Sequence, residues 1–478
     1  MTGERHVAVI GAGITGLAAA YELEQSVTPV RISLLEASSR LGGKIRTERL
    51  AGRPLDVGAE GLLARVPQAV DLCHELGIGD ALEPPREDRT YIWSGGKLRP
   101  LPPGLLGGLP GSTGALLRAR ILSPAGTARA ALDLVLPKHA VNGDETVGSL
   151  VTRRFGRQAL ERLVDPLLGG IYSGDCDGLS VRATAPTLAQ AASGRHRSLL
   201  RGLRAAPRSS ATGPTFVALA GGLEQLVERL AAALEDAEIH HEARVLDINP
   251  ATGGRYRLDF AHGKVLKVDA AVIAAPAFEA AEMLRHLRPG AARSLRAIEY
   301  ASTATVSLAY PAAAAERLPR GSGFLVPRAE GRLLSACTFS SLKWPHLATD
   351  DALLLRCAVG RAGNDRALAL DDAALTTLVA EELQAALGLR HAPTETLVTR
   401  WERALPQYAP GHLDRVSGIE EALASLPGLE LAGAAYRGMG VPACIAQGRA
   451  AAQRVLAELD AGVPVGYRVR TGAALAGS

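Results

Sequence analysis

From Val7 to Ile10 the chain reads VAVI, an unbroken apolar run of strand length that suits a strand covered on both faces. GAGITG follows, and Ile14, Leu17, Ala18, Tyr21 and Leu23 then recur at helical spacing. Val30 to Leu35 returns to a β-rich run and ends at Glu36, so residues 7–36 predict one β-α-β unit. The C-terminal region echoes it with a strand from Leu429 to Gly433, a glycine loop and a helix from Pro442 to Asp460. Between the two, Tyr91 to Pro137 is broken by prolines and glycines, and helical patterns such as Gly148 to Leu168 continue to Arg204. A Gly221-Gly222 turn leads into the amphipathic LEQLVERLAAAL. Residues 239–275 and 299–360 supply strand candidates, among them RYRLDF, ATVSLAY, GFLVP and ALLLRCAV. The order predicts an α/β chain in three parts. A discontinuous Rossmann-like dinucleotide-binding domain takes residues 1–87, 214–276 and 402–478. A mainly helical inserted domain takes 88–213, and a mixed α+β substrate domain takes 277–401. The tail after Val463 is expected to be loose.

Composition narrows the function classes. The 478 residues suffice for two or three domain cores, and 47% apolar with 21% charged residues describes a folded globular chain. A net charge of +4 is too dilute for a nucleic-acid footprint. Five scattered cysteines with no C-x-x-C pair predict neither a disulfide framework nor a metal site and fit a cytoplasmic location. No apolar stretch reaches the ~18 residues of a membrane span.

The glycines carry the first chemistry. Gly11, Gly13 and Gly16 form G-x-G-x-x-G between a strand and a helix, where backbone N–H groups can meet a pyrophosphate. Glu36, at the end of the next strand, is placed for ribose hydroxyls and disfavours a 2′-phosphate. Gly42, Gly43 and Lys44 follow, and a second glycine pair after the ribose acid favours FAD over a nicotinamide cofactor. With no second fingerprint downstream, the pattern predicts an oxidase that passes electrons from an organic substrate through flavin to oxygen. No His/Asp or Ser/His constellation occurs, so no catalytic side chain is assigned, consistent with hydride transfer to the cofactor.

Four longer stretches extend this reading: DPLLGGIYSGDCDGLSVRATAP (Asp165 to Pro186), PTFVALAGGLEQL (Pro214 to Leu226), RWERALPQYAPGH (Arg400 to His412) and AGAAYRGMGVPACIAQG (Ala432 to Gly448). With them the chain resembles, over nearly its whole length, the flavin-dependent porphyrinogen oxidases of haem synthesis, within the amine oxidase and phytoene desaturase superfamily. The first stretch separates that family from amine oxidases, and GAEGLL at Gly58 to Leu63 is similar to the actinobacterial, coproporphyrinogen-oxidising branch. The resemblance implies a six-electron oxidation of coproporphyrinogen III to coproporphyrin III, with oxygen as acceptor and hydrogen peroxide released. The alternatives are the same chemistry on protoporphyrinogen IX, a wider amine or carotenoid oxidoreductase, and a flavin-binding regulatory protein without turnover.

The resemblance also implies a site. FAD falls on Gly11, Ala12, Gly13, Ile14, Thr15, Gly16, Glu36, Ala37, Lys44, Gly58, Ala59, Glu60, Gly61, Val245, Trp401, Met439, Gly440 and Val441. The family often has Pro-Asp-Ser where this chain has Ala59-Glu60-Gly61, so side-chain contacts there are expected to differ. The helix starting near Pro442 would point its N-terminus at the flavin pyrimidine edge, and Cys444 is expected to be a buried thiol without a flavin thioether. For the substrate, Arg89 is implied to meet a propionate, and Gly169, Gly170 and Ile171 to form a turn beside the ring. His74, His139 and His412 are expected at the surface or in packing. The oligomeric state and any peripheral membrane contact through the Leu101 to Leu109 loops stay open.

Overall fold

The computed structural model describes residues 4–102, 104–110, 112–137, 143–206, 213–253, 255–364 and 366–461; His139 and the tail after Val463 lie outside them. In chain order, β1 (Arg5–Ile10), α1 (Ile14–Glu24) and β2 (Val30–Leu35) open the fold, followed by β3 (Thr90–Ser94) and β4 (Lys97–Pro100). Next come α2 (Val147–Phe155), α3 (Glu224–Ala232), β5 (Glu238–His240), β6 (Val245–Ala251), β7 (Arg255–Phe260), β8 (Val265–Val268) and β9 (Ala270–Ile273). The chain closes with β10 (Tyr300–Pro311), β11 (Gly323–Leu325), β12 (Leu334–Phe339), β13 (Ala352–Val359), α4 (Asp372–Leu387), β14 (Glu395–Pro406), β15 (Leu429–Leu431) and α5 (Val441–Asp460).

Two large sheets organise most of these elements, and β6, β7 and β8 form a separate three-stranded antiparallel sheet. The first is five-stranded and wholly parallel, in the order β5-β2-β1-β9-β15, so strands far apart in sequence meet at its centre. Parallel sheets need cover on both faces, which explains why Val7, Ala8 and Val9 are fully buried. α1 is buried from Ile14 to Ala20 and again at Leu23, and its run of alanines lets neighbouring helices come close. α5 lies along it so tightly that a Cβ on Gly448 would stand 2.1 Å from the carbonyl oxygen of Thr15.

The second sheet has seven strands in the order β14-β10-β13-β12-β11-β3-β4, antiparallel except where β11 runs beside β3. The composition of residues 88–213 groups β3 and β4 with the helical insert, whereas strand pairing puts them at the edge of this sheet. β14 likewise runs unbroken across the expected boundary at residue 401. The helices Ala277–Met283 and Pro289–Arg296 pack into the core of the first sheet, so that core extends beyond residue 276. Each departure has the same cause: local pattern reports an element's type, and only pairing reports its sheet.

The helical region has its own core, with Leu150, Phe155, Leu163, Val164 and Leu188. The single helix expected near Gly148 to Leu168 is broken. α2 stops at Gly156, whose φ of +88° favours glycine, and a π-helix runs from Leu160 to Gly169. Pro166 inside it has no N–H to donate, so the backbone widens there instead of keeping the α-helical ladder. Among the described residues no helix is long and apolar enough to cross a membrane.

The Gly448 contact is with backbone and cannot be relieved by a rotamer change. Gly448→Ala should therefore destabilise the α1–α5 packing by about 1–3 kcal/mol. A thermal unfolding midpoint equal to wild type would show that the helices separate without cost.

Candidate functional site

The C-terminal ends of β1 and β2 and the loops behind them build a cradle of exposed backbone. Gly11 has φ +101°, and a Cβ there would approach the Ala274 carbonyl at 3.0 Å. A Cβ on Gly16 would lie 1.8 Å from the Gly11 carbonyl oxygen. Gly13 differs: a Cβ on it would meet nothing within 4 Å, so its open side faces free space. Gly13 caps α1 without a side-chain hydrogen bond, and the first turn of α1 carries no acid. Ala12, Ile14 and Thr15 are buried behind this edge.

The second glycine pair packs onto the first. The Gly42 N–H donates to the Ala12 carbonyl at 2.8 Å, and a Cβ on Gly43 would lie 3.3 Å from the Gly13 Cα. Arg40 holds this loop by donating to the carbonyls of Leu41 at 2.7 Å, Gly43 at 2.5 Å and Ile45 at 2.9 Å. Glu36 sits at the mouth, where Oε2 accepts the Ala12 N–H at 2.9 Å and Oε1 accepts from Ser38. Ala37 beside it is exposed, and Ala243 N–H donates to the Glu36 carbonyl at 2.8 Å, which brings the buried Val245 to the same end.

Lys44 lies deeper. Burial pushes its ammonium pKa down, the neighbouring Cys444 pulls it up, and no carboxylate pairs with it among the described residues. The Cys444 thiol is itself raised by burial against the Thr15 hydroxyl and Lys44, and donates to the Met439 carbonyl at 3.7 Å. Gly440 caps α5 with no side-chain hydrogen bond, leaving the start of the helix at Val441 uncapped.

Residues 57–61 form the opposite wall. A Cβ on Gly58 would lie 2.0 Å from the Lys44 carbonyl and 3.2 Å from the Trp401 ring, while Trp401 donates from Nε1 to the Val57 carbonyl at 3.0 Å. Arg356, from β13, donates to the Gly58 carbonyl at 2.5 Å. Ala59 N–H reaches the Lys44 carbonyl at 3.4 Å, and Gly61 packs against Trp344. Glu60 accepts from Trp344 Nε1 at 2.8 Å and Thr338 at 3.3 Å, with Lys343 and Arg356 each at 3.5 Å. Burial alone would raise its pKa; Lys343, Arg356 and the Trp344 bond outweigh it and hold the carboxyl below its ordinary value.

Of the residues implied to meet a substrate, Gly169, Gly170 and Ile171 precede a residue that packs beside the start of α5. Tyr172, next in sequence, lies 5.6 Å from the Tyr408 ring, and the Tyr408 hydroxyl accepts the Gly438 N–H at 3.1 Å, one residue before Met439. Gly169 is buried, Gly170 opens to free space and Ile171 is 61% exposed. Arg89 is exposed just before β3; its carbonyl accepts the Ser322 N–H at 2.8 Å, and its guanidinium has no partner among the described residues. His74 is exposed, whereas His412 is fully buried, stacked 4.0 Å from Tyr408. Arg40 and Arg356 were not singled out from the sequence. Arg40 stands four residues before Lys44 and carries a local signal, but Arg356 acts across about three hundred residues and carries none.

Free helix-start donors, an unpaired ammonium and a carboxylate at the strand end fit a dinucleotide whose pyrophosphate lies over Gly13. The chain matches the profile of flavin-containing amine oxidoreductases over residues 14–456, and it belongs to that family. It is 35% identical over 469 residues to the coproporphyrinogen III oxidase of Bacillus subtilis, an alignment covering 96% of this chain and 99% of the relative. The coproporphyrinogen III oxidase of Mycobacterium tuberculosis is 36% identical over 468 residues, covering 96% and 99%. A crystal structure of a candidate protoporphyrinogen oxidase from Exiguobacterium superposes with a TM-score of 0.84 at 33% identity, covering 96% of this chain and all of that one. The protein is therefore a flavin-dependent oxidoreductase.

Gly13→Val should leave the fold intact, because its side chain enters open space, yet fill the volume a pyrophosphate needs. The purified variant is expected to be colourless with a wild-type circular dichroism spectrum. Full flavin occupancy would refute this placement.

Proposed function

We propose that the protein is an FAD-dependent oxidase of coproporphyrinogen III. Six electrons leave the substrate in three two-electron cycles, three oxygen molecules accept them, and coproporphyrin III and three hydrogen peroxides are released. The observation that carries this reading is the position of the Asp165 to Pro186 stretch. That stretch distinguishes porphyrinogen oxidases from amine oxidases in sequence, and Tyr172 within it packs on Tyr408 beside Gly438 and Met439. The open side of Gly170, exposed beside this turn, leaves room for a broad macrocycle to approach.

The residues divide the work by chemistry. Backbone donors from Gly13 to Thr15 and the Lys44 ammonium balance the pyrophosphate charge, and Glu36 binds ribose hydroxyls. Bound FAD supplies two-electron acceptance. The open start of α5 at Gly440 and Val441 provides fixed positive partial charge where negative charge develops on reduction. Arg356 and Trp401 hold residues 57 and 58, and so set the distance between cofactor and substrate sheet. Arg89, exposed and without a carboxylate partner among the described residues, takes a substrate propionate. Protoporphyrinogen IX is the second reading, favoured by the description of the Exiguobacterium structure.

Under anaerobic conditions coproporphyrinogen III should bleach the flavin faster than protoporphyrinogen IX does. Faster bleaching by protoporphyrinogen would move the protein to the second reading, and none with either would remove both. In air, hydrogen peroxide should accumulate at about three per porphyrin. Arg89→Ala should cost about ten- to two-hundredfold in kcat/KM, or roughly 1.5–3 kcal/mol, without loss of flavin. An unchanged kcat/KM would return Arg89 to an ordinary solvated surface charge.

A further inference from the structure

The substrate reading above leaves one edge of the macrocycle without a partner, and the second sheet supplies a candidate. Gly360 follows β13 with φ +86°, and a Cβ on it would lie 3.2 Å from the Thr303 Cα. Thr303 is the register partner of Trp401, so a row from Trp401 through Thr303 to Gly360 crosses the sheet away from the cradle. Two residues past Gly360, the Ala362 N–H donates to the Ser173 carbonyl at 2.7 Å and ties the end of this row to the Gly169–Ser173 turn. Arg361 stands at that corner.

Its guanidinium is half-buried; among the described residues its one hydrogen-bond partner is the Val326 carbonyl, to which it donates, and no carboxylate lies within ion-pair distance. A guanidinium has five N–H donors, so the fork that fits a carboxylate is largely unused. Asp165 and Asp175 attract it from beyond ion-pair distance and Arg328 repels it, so none of them takes up its donors. Arg328 donates to the carbonyls of Ala362 at 3.3 Å and Gly174 at 3.2 Å, and takes Asp175 as its own partner at 3.8 Å. Asp165 accepts the Cys176 N–H at 3.2 Å, and burial raises its pKa, which weakens it as a counter-ion.

Arg89 lies at the opposite end of the strand pair. It precedes β3, β3 runs parallel to β11, and Arg328 follows the end of β11. At ~3.3 Å per strand residue the two ends are on the order of 15 Å apart, a span that suits a tetrapyrrole with side chains extended to both sides.

We propose that Arg361 is a specificity-determining residue that binds a substrate carboxylate at the edge opposite Arg89, so that the pocket selects a macrocycle acidic on both edges. The proposal rests on the porphyrinogen reading. A macrocycle with carboxylates on one edge can turn to use Arg89 alone; one with carboxylates on both edges cannot avoid losing a contact when Arg361 is removed.

The test uses flavin-loaded wild type, Arg361→Met and Arg361→Lys, with three substrates: coproporphyrinogen III, its tetramethyl ester and protoporphyrinogen IX. Arg361→Met should raise KM for coproporphyrinogen about tenfold or more with kcat within about twofold, and should do less to protoporphyrinogen. It should leave the uncharged ester unaffected, and Arg361→Lys should recover part of the loss. Binding of coproporphyrin, read by fluorescence quenching, should weaken in parallel. A loss of equal size on all three substrates, or no loss on any while wild type turns over, would overturn the role of Arg361 and leave the porphyrinogen reading standing. No turnover of any porphyrinogen by wild type would sink that reading and this inference with it.

Discussion

Close approach of bare backbone is the constraint on which the rest of the molecule depends. The loops at Gly11–Gly16, Gly42–Gly43 and Gly58 converge with separations that a methyl group would violate, and α5 meets α1 over Gly448 on the same terms. The convergence leaves one side open, at Gly13, where α1 begins with no side-chain cap and no acid in its first turn. A site for an anionic cofactor thus follows from where the side chains are missing as much as from where they are present.

Electrostatics then joins the two sheets across that opening. Glu60 stands on the cradle wall, yet its partners Thr338, Lys343, Trp344 and Arg356 all come from the substrate sheet or the short segments beside it. Withdrawing one carboxylate and two cations from water is costly, and the cost is offset only because the hydrogen bonds are nearly complete. Arg356 adds a bond to the Gly58 carbonyl, so the same side chain serves both the ion cluster and the backbone of the cradle wall. Placement of the cofactor wall and of the substrate sheet is therefore one mechanical problem.

The helical region contributes through a single turn. Pro166 and the π-helix around it deliver Gly169 to Ser173 to the end of the second sheet, where Ala362 and Gln407 hold the turn by its carbonyls. The two cationic edges of the proposed substrate cavity lie at opposite ends of β3 and β11, and neither edge belongs to the flavin-binding sheet. In the proposed reading, cofactor binding and substrate selection are carried by different elements, linked by the row Trp401, Thr303 and Gly360.

By itself the sequence determined what depends on near neighbours. The β-α-β unit, the G-x-G-x-x-G loop, Glu36 and the start of α5 are legible because a periodic run, a glycine spacing or an uncapped helix start is complete within about thirty residues. Pairing of β3 with β11, continuity of β14 across residue 401, and the reach of Arg356 to Gly58 and of Ala362 to the Gly169–Ser173 turn were decided only in three dimensions. Those contacts join residues tens to hundreds of positions apart, and neither side-chain period nor turn chemistry records which distant partner a strand edge or a guanidinium will meet. Glu60 shows both sides of this division: its identity as a carboxylate in a glycine-rich stretch was plain, and its two cationic partners became visible only once β12 and β13 were laid against the cradle.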